Sequence, residues 1–220
     1  MAEESGSMLA KTTPIPASVL RKQEWLGFQV MAAELGWVRA IGLGIRMKKQ
    51  LASGAPWAEL PAPETQREEW SRAQVGPAIV LFQLLLEMKH PAPLDLVRSV
   101  VVTGAVPWMQ WAIGSIEPDV YKKMTADARE SWFEGKRTKF LNMTLKSHEV
   151  GQEHVEFHVS SCSFPALCRD TGVPELAPVF CAVDAHYFGS VQKGIALDRP
   201  ETLAAGGTQC SFHLAWVEEE

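Results

Sequence analysis

Long apolar runs are scarce in this sequence. The longest, Val75 to Leu86, is interrupted by Gly76, Pro77 and Gln83. A membrane-spanning helix needs about 20 apolar residues, so this run is expected to be a buried core helix, with no membrane partner. Basic clusters are also scarce. Lys122-Lys123 and Lys136-Arg137 are pairs too short to neutralise many phosphates, and the net charge is -5, which argues against nucleic acid. The glycines form no GxGxxG and no GxxxxGK[ST] motif, and Gly206-Gly207 reads only as a turn. No nucleotide cofactor is expected. GxSxG and HExxH are missing too. Met1 to Ser7 is acidic and small, without a basic start leading into an apolar stretch, so a secretory signal is not evident and a cytoplasmic protein is expected. Cysteine is limited to Cys162, Cys168, Cys181 and Cys210, all in the last third. Their spacing, C-x5-C-x12-C-x28-C, has no CxxC knuckle. Free thiols and no metal site are the expectation.

What is present suits a globular chain. Hydrophobic residues make up 46% and charged residues 21% of 220 residues, enough for one substantial domain. Residues 1–17 read as a flexible tail, because Pro14 and Pro16 make poor helix material. Residues 18–220 read as a single α+β domain, mainly helical over 18–135 and built of a β-hairpin, helices and strands over 136–220. Ser18 is a candidate cap for a helix carrying Trp25, Phe28, Met31 and Leu35, with a bend at Gly36 and a continuation through Val38, Ile41 and Ile45 to Lys49. A second helical region begins near Glu64. Glu68, Glu69 and Arg72 are its expected exposed face, and Val75, Ile79, Phe82 and Leu86 its buried stripe. Pro77 predicts a kink or break near Gly76. Leu94 to Trp111 is apolar again, and Pro118 is expected to start a helix running to about Phe133.

The period then changes. Leu141, Met143 and Leu145 alternate with polar residues, as do Val155, Phe157 and Val159 after a turn at Gly151, so a hairpin is expected. Ser163 to Asp170 and Pro174 to about His186 read as helices, and Ile195/Leu197 and Cys210 to Trp216 as strands. The fold class is therefore α+β: an N-terminal helical bundle packed on a small, mainly antiparallel sheet with helices inserted between its strands.

Cys181 and Asp184 lie three apart on one helix face. A carboxylate alone raises a thiol's pKa, so a reactive Cys181 needs a cation or base. His186, the nearest in sequence, sits about 140° around an ideal helix. Cys210 and His213 lie on opposite faces of a strand, which removes them as a joint metal site. His154, Glu156 and His158 share a strand face, as a metal row or simply as a solvated surface. Trp108, Trp111 and Trp132, with Met109 and Met124 nearby, can wall an apolar pocket or fill a core.

The runs Cys162-Ser163-Phe164-Pro165, Gly172-Val173-Pro174-Glu175-Leu176, Phe180-Cys181-Ala182-Val183-Asp184, Arg199 to Gly206 and Cys210-Ser211-Phe212 together resemble the L-2-amino-thiazoline-4-carboxylic acid hydrolase-like family. The resemblance implies an enzyme that opens a cyclic C=N–S substrate by adding water. It implies Cys181, Asp184 and Cys210 as catalytic residues, with Thr202 and Gly206 shaping the loop between them. Trp108, Trp111, Trp132, Tyr187 and Thr202 are the expected substrate-binding residues. Ser211 departs from the family's Cys-Asp-Phe, which removes a carboxylate. The alternatives are a cofactor-independent cyclase or isomerase of an apolar secondary metabolite, or a non-catalytic ligand-binding module. A small-molecule substrate is the expected partner, and a homodimer is compatible with the sequence.

Overall fold

The computed structural model describes residues 14–217. Most of the expected tail, residues 1–13, lies outside them. The helical part begins with α1 (Ala17–Leu35) and α2 (Trp37–Ala52), separated by Gly36 at φ 80°. That left-handed angle is cheap only for glycine, so the sequence breaks there. Pro16, not Ser18, precedes the first turn, and Ser18 lies inside the helix. Then come α3 (Gln66–Glu87) and α4 (Pro93–Ile113). Thr65 caps α3 by accepting from the Glu68 backbone N–H at 3.1 Å, and the Glu68 carboxylate accepts from the Glu64 N–H at 3.2 Å. Pro93 starts α4 with its fixed φ.

Two expectations for α3 are corrected. Of the kink or break expected near Gly76, the break is absent, because the helix runs through Pro77. Val75, Ile79, Val80, Leu84 and Leu85 are wholly buried, and this packing outweighs one missing backbone bond. Arg72 is buried rather than exposed, while Leu86 is exposed. The Arg72 guanidinium pairs with Glu68 at 2.5 Å and lies over the Trp57 ring at 5.5 Å. The expected single helix after Pro118 is two, α5 (Pro118–Lys122) and α6 (Ala126–Arg137). Thr125 accepts from the Ala128 N–H and starts the second.

The sheet comprises β1 (Met143–Val150), β2 (His154–Cys162), β3 (Ile195–Asp198) and β4 (Cys210–Trp216). It is antiparallel throughout, in the order β1-β2-β4-β3. Helices α7 (Ser163–Asp170) and α8 (Ala177–His186) are inserted between β2 and β3. The fold is thus the α+β arrangement expected, a helical bundle against a small sheet. The β1–β2 pairing shifts on both sides of Leu145. Arg67 of α3 holds this irregular start, donating to the carbonyls of Leu141 and Met143 and to the Thr144 hydroxyl.

Strand parity aims Val155, Phe157 and Val159 of β2 at the same face as their partners Leu214, Phe212 and Cys210 of β4. That face is covered by the helices. The buried residues form two clusters, one among α1–α4 and α7, the other between the end of α4, α6, α8 and the sheet. A cavity of about 970 Å³ takes its walls from both.

Candidate active site

The cavity walls are mostly apolar. α4 contributes Trp108 and Met109, α6 contributes Trp132 and Phe133, and the sheet contributes Phe157 and Phe212. Phe157 and Phe212 stack at 4.4 Å across the β2–β4 pair. One polar group of side chains stands out against this wall. Cys162 ends β2, Cys181 and Asp184 lie on α8, Arg199 follows β3, and Cys210 begins β4; all five line the cavity.

Arg199 organises this end. It donates to the Asp184 carboxylate at 2.7 Å and to the Cys181 carbonyl oxygen at 2.6 Å, and its guanidinium lies over Phe212 at 5.1 Å. A planar fork can make such contacts at once; a lysine ammonium cannot. Asp184 keeps 24% of its side chain accessible, on the cavity that it lines. Burial raises its pKa to about 6, against the lowering effect of Arg199. A carboxyl group so placed exchanges a proton near neutral pH.

The thiols behave differently. Burial pushes Cys181 up to about 12; Arg199 lowers it and Asp184 raises it further. Burial also raises Cys162 and Cys210. Cys210 Sγ accepts from the Leu203 N–H at 3.3 Å, and Cys162 Sγ from the Asn142 side-chain amide at 3.5 Å. These are protonated thiols at neutral pH, suited to shaping and weak hydrogen bonding rather than to ready nucleophilic attack.

The structure brings together Cys181, Asp184, Cys210, Trp108 and Trp132 around one cavity. The remaining sequence candidates sit elsewhere. Trp111 lines a smaller pocket with Trp70 and Lys139, and the Lys139 ammonium lies 4.9 Å over its ring. Tyr187 is buried and donates to the Gly114 carbonyl at 3.3 Å. Thr202 caps a short turn by accepting from the Ala205 N–H. His186 is not among the cavity residues.

On the other face of the sheet, His154 pairs with Glu149, His213 with Glu156, and His158 bonds Ser211 at 3.2 Å. The His154/Glu156/His158 row is therefore divided among separate partners. Among the described residues, the His/Cys/Asp/Glu group close enough to hold a metal ion is Glu130, Glu134 and His148, an exposed group of common type. Sequence reasoning missed Arg199 as the cation beside Cys181 and Cys162 as a cavity thiol. The available signal for Arg199 was its place at the head of the Arg199 to Gly206 run that carries the family resemblance.

The fold and this constellation define an α+β protein with an apolar pocket that ends in a partly buried carboxylate–guanidinium pair. Residues 105–214, half of the chain, match the family described as L-2-amino-thiazoline-4-carboxylic acid hydrolase, and the chain belongs to that family. The matched region runs from the second half of α4 through β4, so it includes the aromatic walls as well as the polar end. No curated protein and no solved structure matches the chain.

Proposed function

We propose that this protein hydrolyses a cyclic C=N substrate whose reacting carbon is presented to Asp184 at the polar end of the cavity. The observation that carries this reading is a cavity-lining carboxyl group with a pKa raised to about 6, fixed by Arg199 in the segment that carries the family match. Water adds to the C=N carbon, and its proton passes to Asp184. The carbon–heteroatom bond of the ring then breaks, and Asp184 returns the proton to the departing atom. The net change is the addition of one water. Cys181 and Cys210 flank this step as neutral thiols, and Trp108 and Trp132 hold the apolar part of the substrate.

The cavity of about 970 Å³ is far larger than a single-ring amino acid needs, and it lies near the upper end of ligand pockets in general. It favours an apolar substituent on the ring, of the kind found in secondary metabolites. The same size supports a second reading, a cofactor-independent cyclase or isomerase that holds one reactive conformer. The two separate by product mass. Cyclic C=N compounds, from 2-amino-thiazoline-4-carboxylate to apolar derivatives, are incubated in heavy-oxygen water. Hydrolysis predicts a labelled product one water heavier, whereas cyclisation leaves the mass unchanged. Asp184→Asn is expected to lower kcat/KM by about 100-fold or more; an unaffected variant would overturn the assignment. Binding without turnover would favour a ligand-binding module.

A further inference from the structure

The apolar surface of this protein is concentrated on α1 and α2. Leu20, Trp25, Trp37, Val38, Ile41 and Ile45 are all exposed, Val38 to 85%. On α2, the 100° step per residue puts Trp37, Val38, Ile41, Ile45 and Lys48 within one stripe about 100° wide. Gly44, Met47 and Leu51 lie directly beside that stripe and line the cavity, as does Lys48 itself. On α1, Leu20 and Trp25 are at once exposed and part of the cavity wall. Trp25 stacks on Phe28, and Phe28 meets Trp37 edge-on at 5.4 Å. The apolar lining of the pocket thus adjoins an exposed apolar face, with Arg21, Glu24 and Lys48 at their junction.

Charge selects what that face meets. Residues 17–52 carry six Lys and Arg (Arg21, Lys22, Arg39, Arg46, Lys48, Lys49) against Glu24 and Glu34, a net +4 within a chain of net -5. α2 itself holds four cations and no carboxylate; Lys48 and Lys49 lie in or beside the apolar stripe, while Arg39 and Arg46 lie on the opposite side and Arg46 pairs with Glu87 at 2.7 Å. A second copy docked here by a two-fold axis would bring Lys48 and Lys49 of both copies to one seam, like charge against like. A helix with Trp and Ile on one side and Lys and Arg around them matches an anionic bilayer surface, where it lies in the interfacial plane. No helix of the described residues is long and apolar enough to cross a membrane; an interfacial helix needs no such run.

We infer that the α1–α2 face docks on anionic lipid and that an apolar substrate enters the cavity from the bilayer at this face. The entry route rests on the reading of the cavity as the substrate site; the docking itself does not. The test is flotation of the full chain with phosphatidylcholine vesicles containing phosphatidylserine, and with pure phosphatidylcholine vesicles. Binding is expected to need phosphatidylserine, to weaken with salt, and to fall about tenfold or more in the double variant Ile41→Glu, Ile45→Glu. Both positions are exposed and lie outside the cavity wall, so the variant should keep the wild-type near-UV spectrum and its turnover of a water-soluble substrate. No binding to either vesicle, equal binding by the double variant, or a solution dimer that the variant dissociates would overturn the docking. Vesicle binding is read without turnover, so its failure is distinct from failure of the Asp184 chemistry.

Discussion

Asp184 is an acid whose ionisation the fold opposes. Its pKa is 3.8 in an ordinary setting and about 6 in the folded chain. A carboxyl group raised in this way contributes stability that is complete below its unfolded value and is lost as the pH rises through about 6. Asp184→Asn cannot ionise, so its unfolding free energy should lack this component. The stability of the wild type relative to the variant should fall by about 2 kcal/mol between pH 4 and pH 7, measured by urea unfolding across that range. Cys181→Ser is expected to retain activity within about tenfold, because a thiol at about 12 holds little thiolate to lose; steady-state kinetics check this. That Cys181 and Asp184 lie together on α8 was legible from a spacing of three. Arg199 was not, because its bond to Asp184 spans 15 residues and a strand.

At the scale of elements, the loop between β3 and β4 seats the site. Glu201 accepts from the backbone and hydroxyl of Thr208, Thr202 caps the turn, and Leu203 donates to Cys210. A Cβ at Gly207 would stand 2.5 Å from Glu201 Cγ and 2.9 Å from the Thr202 carbonyl oxygen. The carbonyl is backbone and cannot swing aside. Gly207→Ala should destabilise the protein by about 1–3 kcal/mol and lower activity by displacing Leu203 from Cys210, as read by chemical denaturation and kinetics. Gly206-Gly207 was readable as a turn, but the close approach needs coordinates. The hairpin, α7, α8 and the last two strands were all readable from period and turn residues. The two misreadings of α3 share one cause: local signals at Pro77 and Arg72 were overridden by burial on several sides, which a single helix does not reveal.

For the whole molecule, the cavity is empty volume between two cores, held open by residues that do not fill it. Ala105 lines it from α4. Ala105→Leu should bury more apolar surface and stabilise by about 1 kcal/mol, raising Tm by about 2–4 °C, while cutting kcat/KM by blocking the pocket; thermal unfolding and turnover together test this. The pattern of Trp and Met suggested walls without locating them. Trp108 and Trp111 lie three residues apart on α4, yet only Trp108 joins Trp132 on the cavity wall, and which side of the helix faces the cavity depends on packing.

The pairing of β2 with β4 also bears on how the molecule is made. His158 and Ser211, which face each other across it, are 53 residues apart, and β4 is the last of the described elements to leave the ribosome. Until it does, Val155, Phe157 and Val159 have no neighbouring strand on that side. The helices of the first half can associate earlier through near-neighbour contacts, whereas the sheet must wait for a distant partner. During that interval the open edge of β2 offers unpaired backbone groups to other nascent chains. The arrival of β4 thus completes the sheet that walls the cavity and removes that open edge.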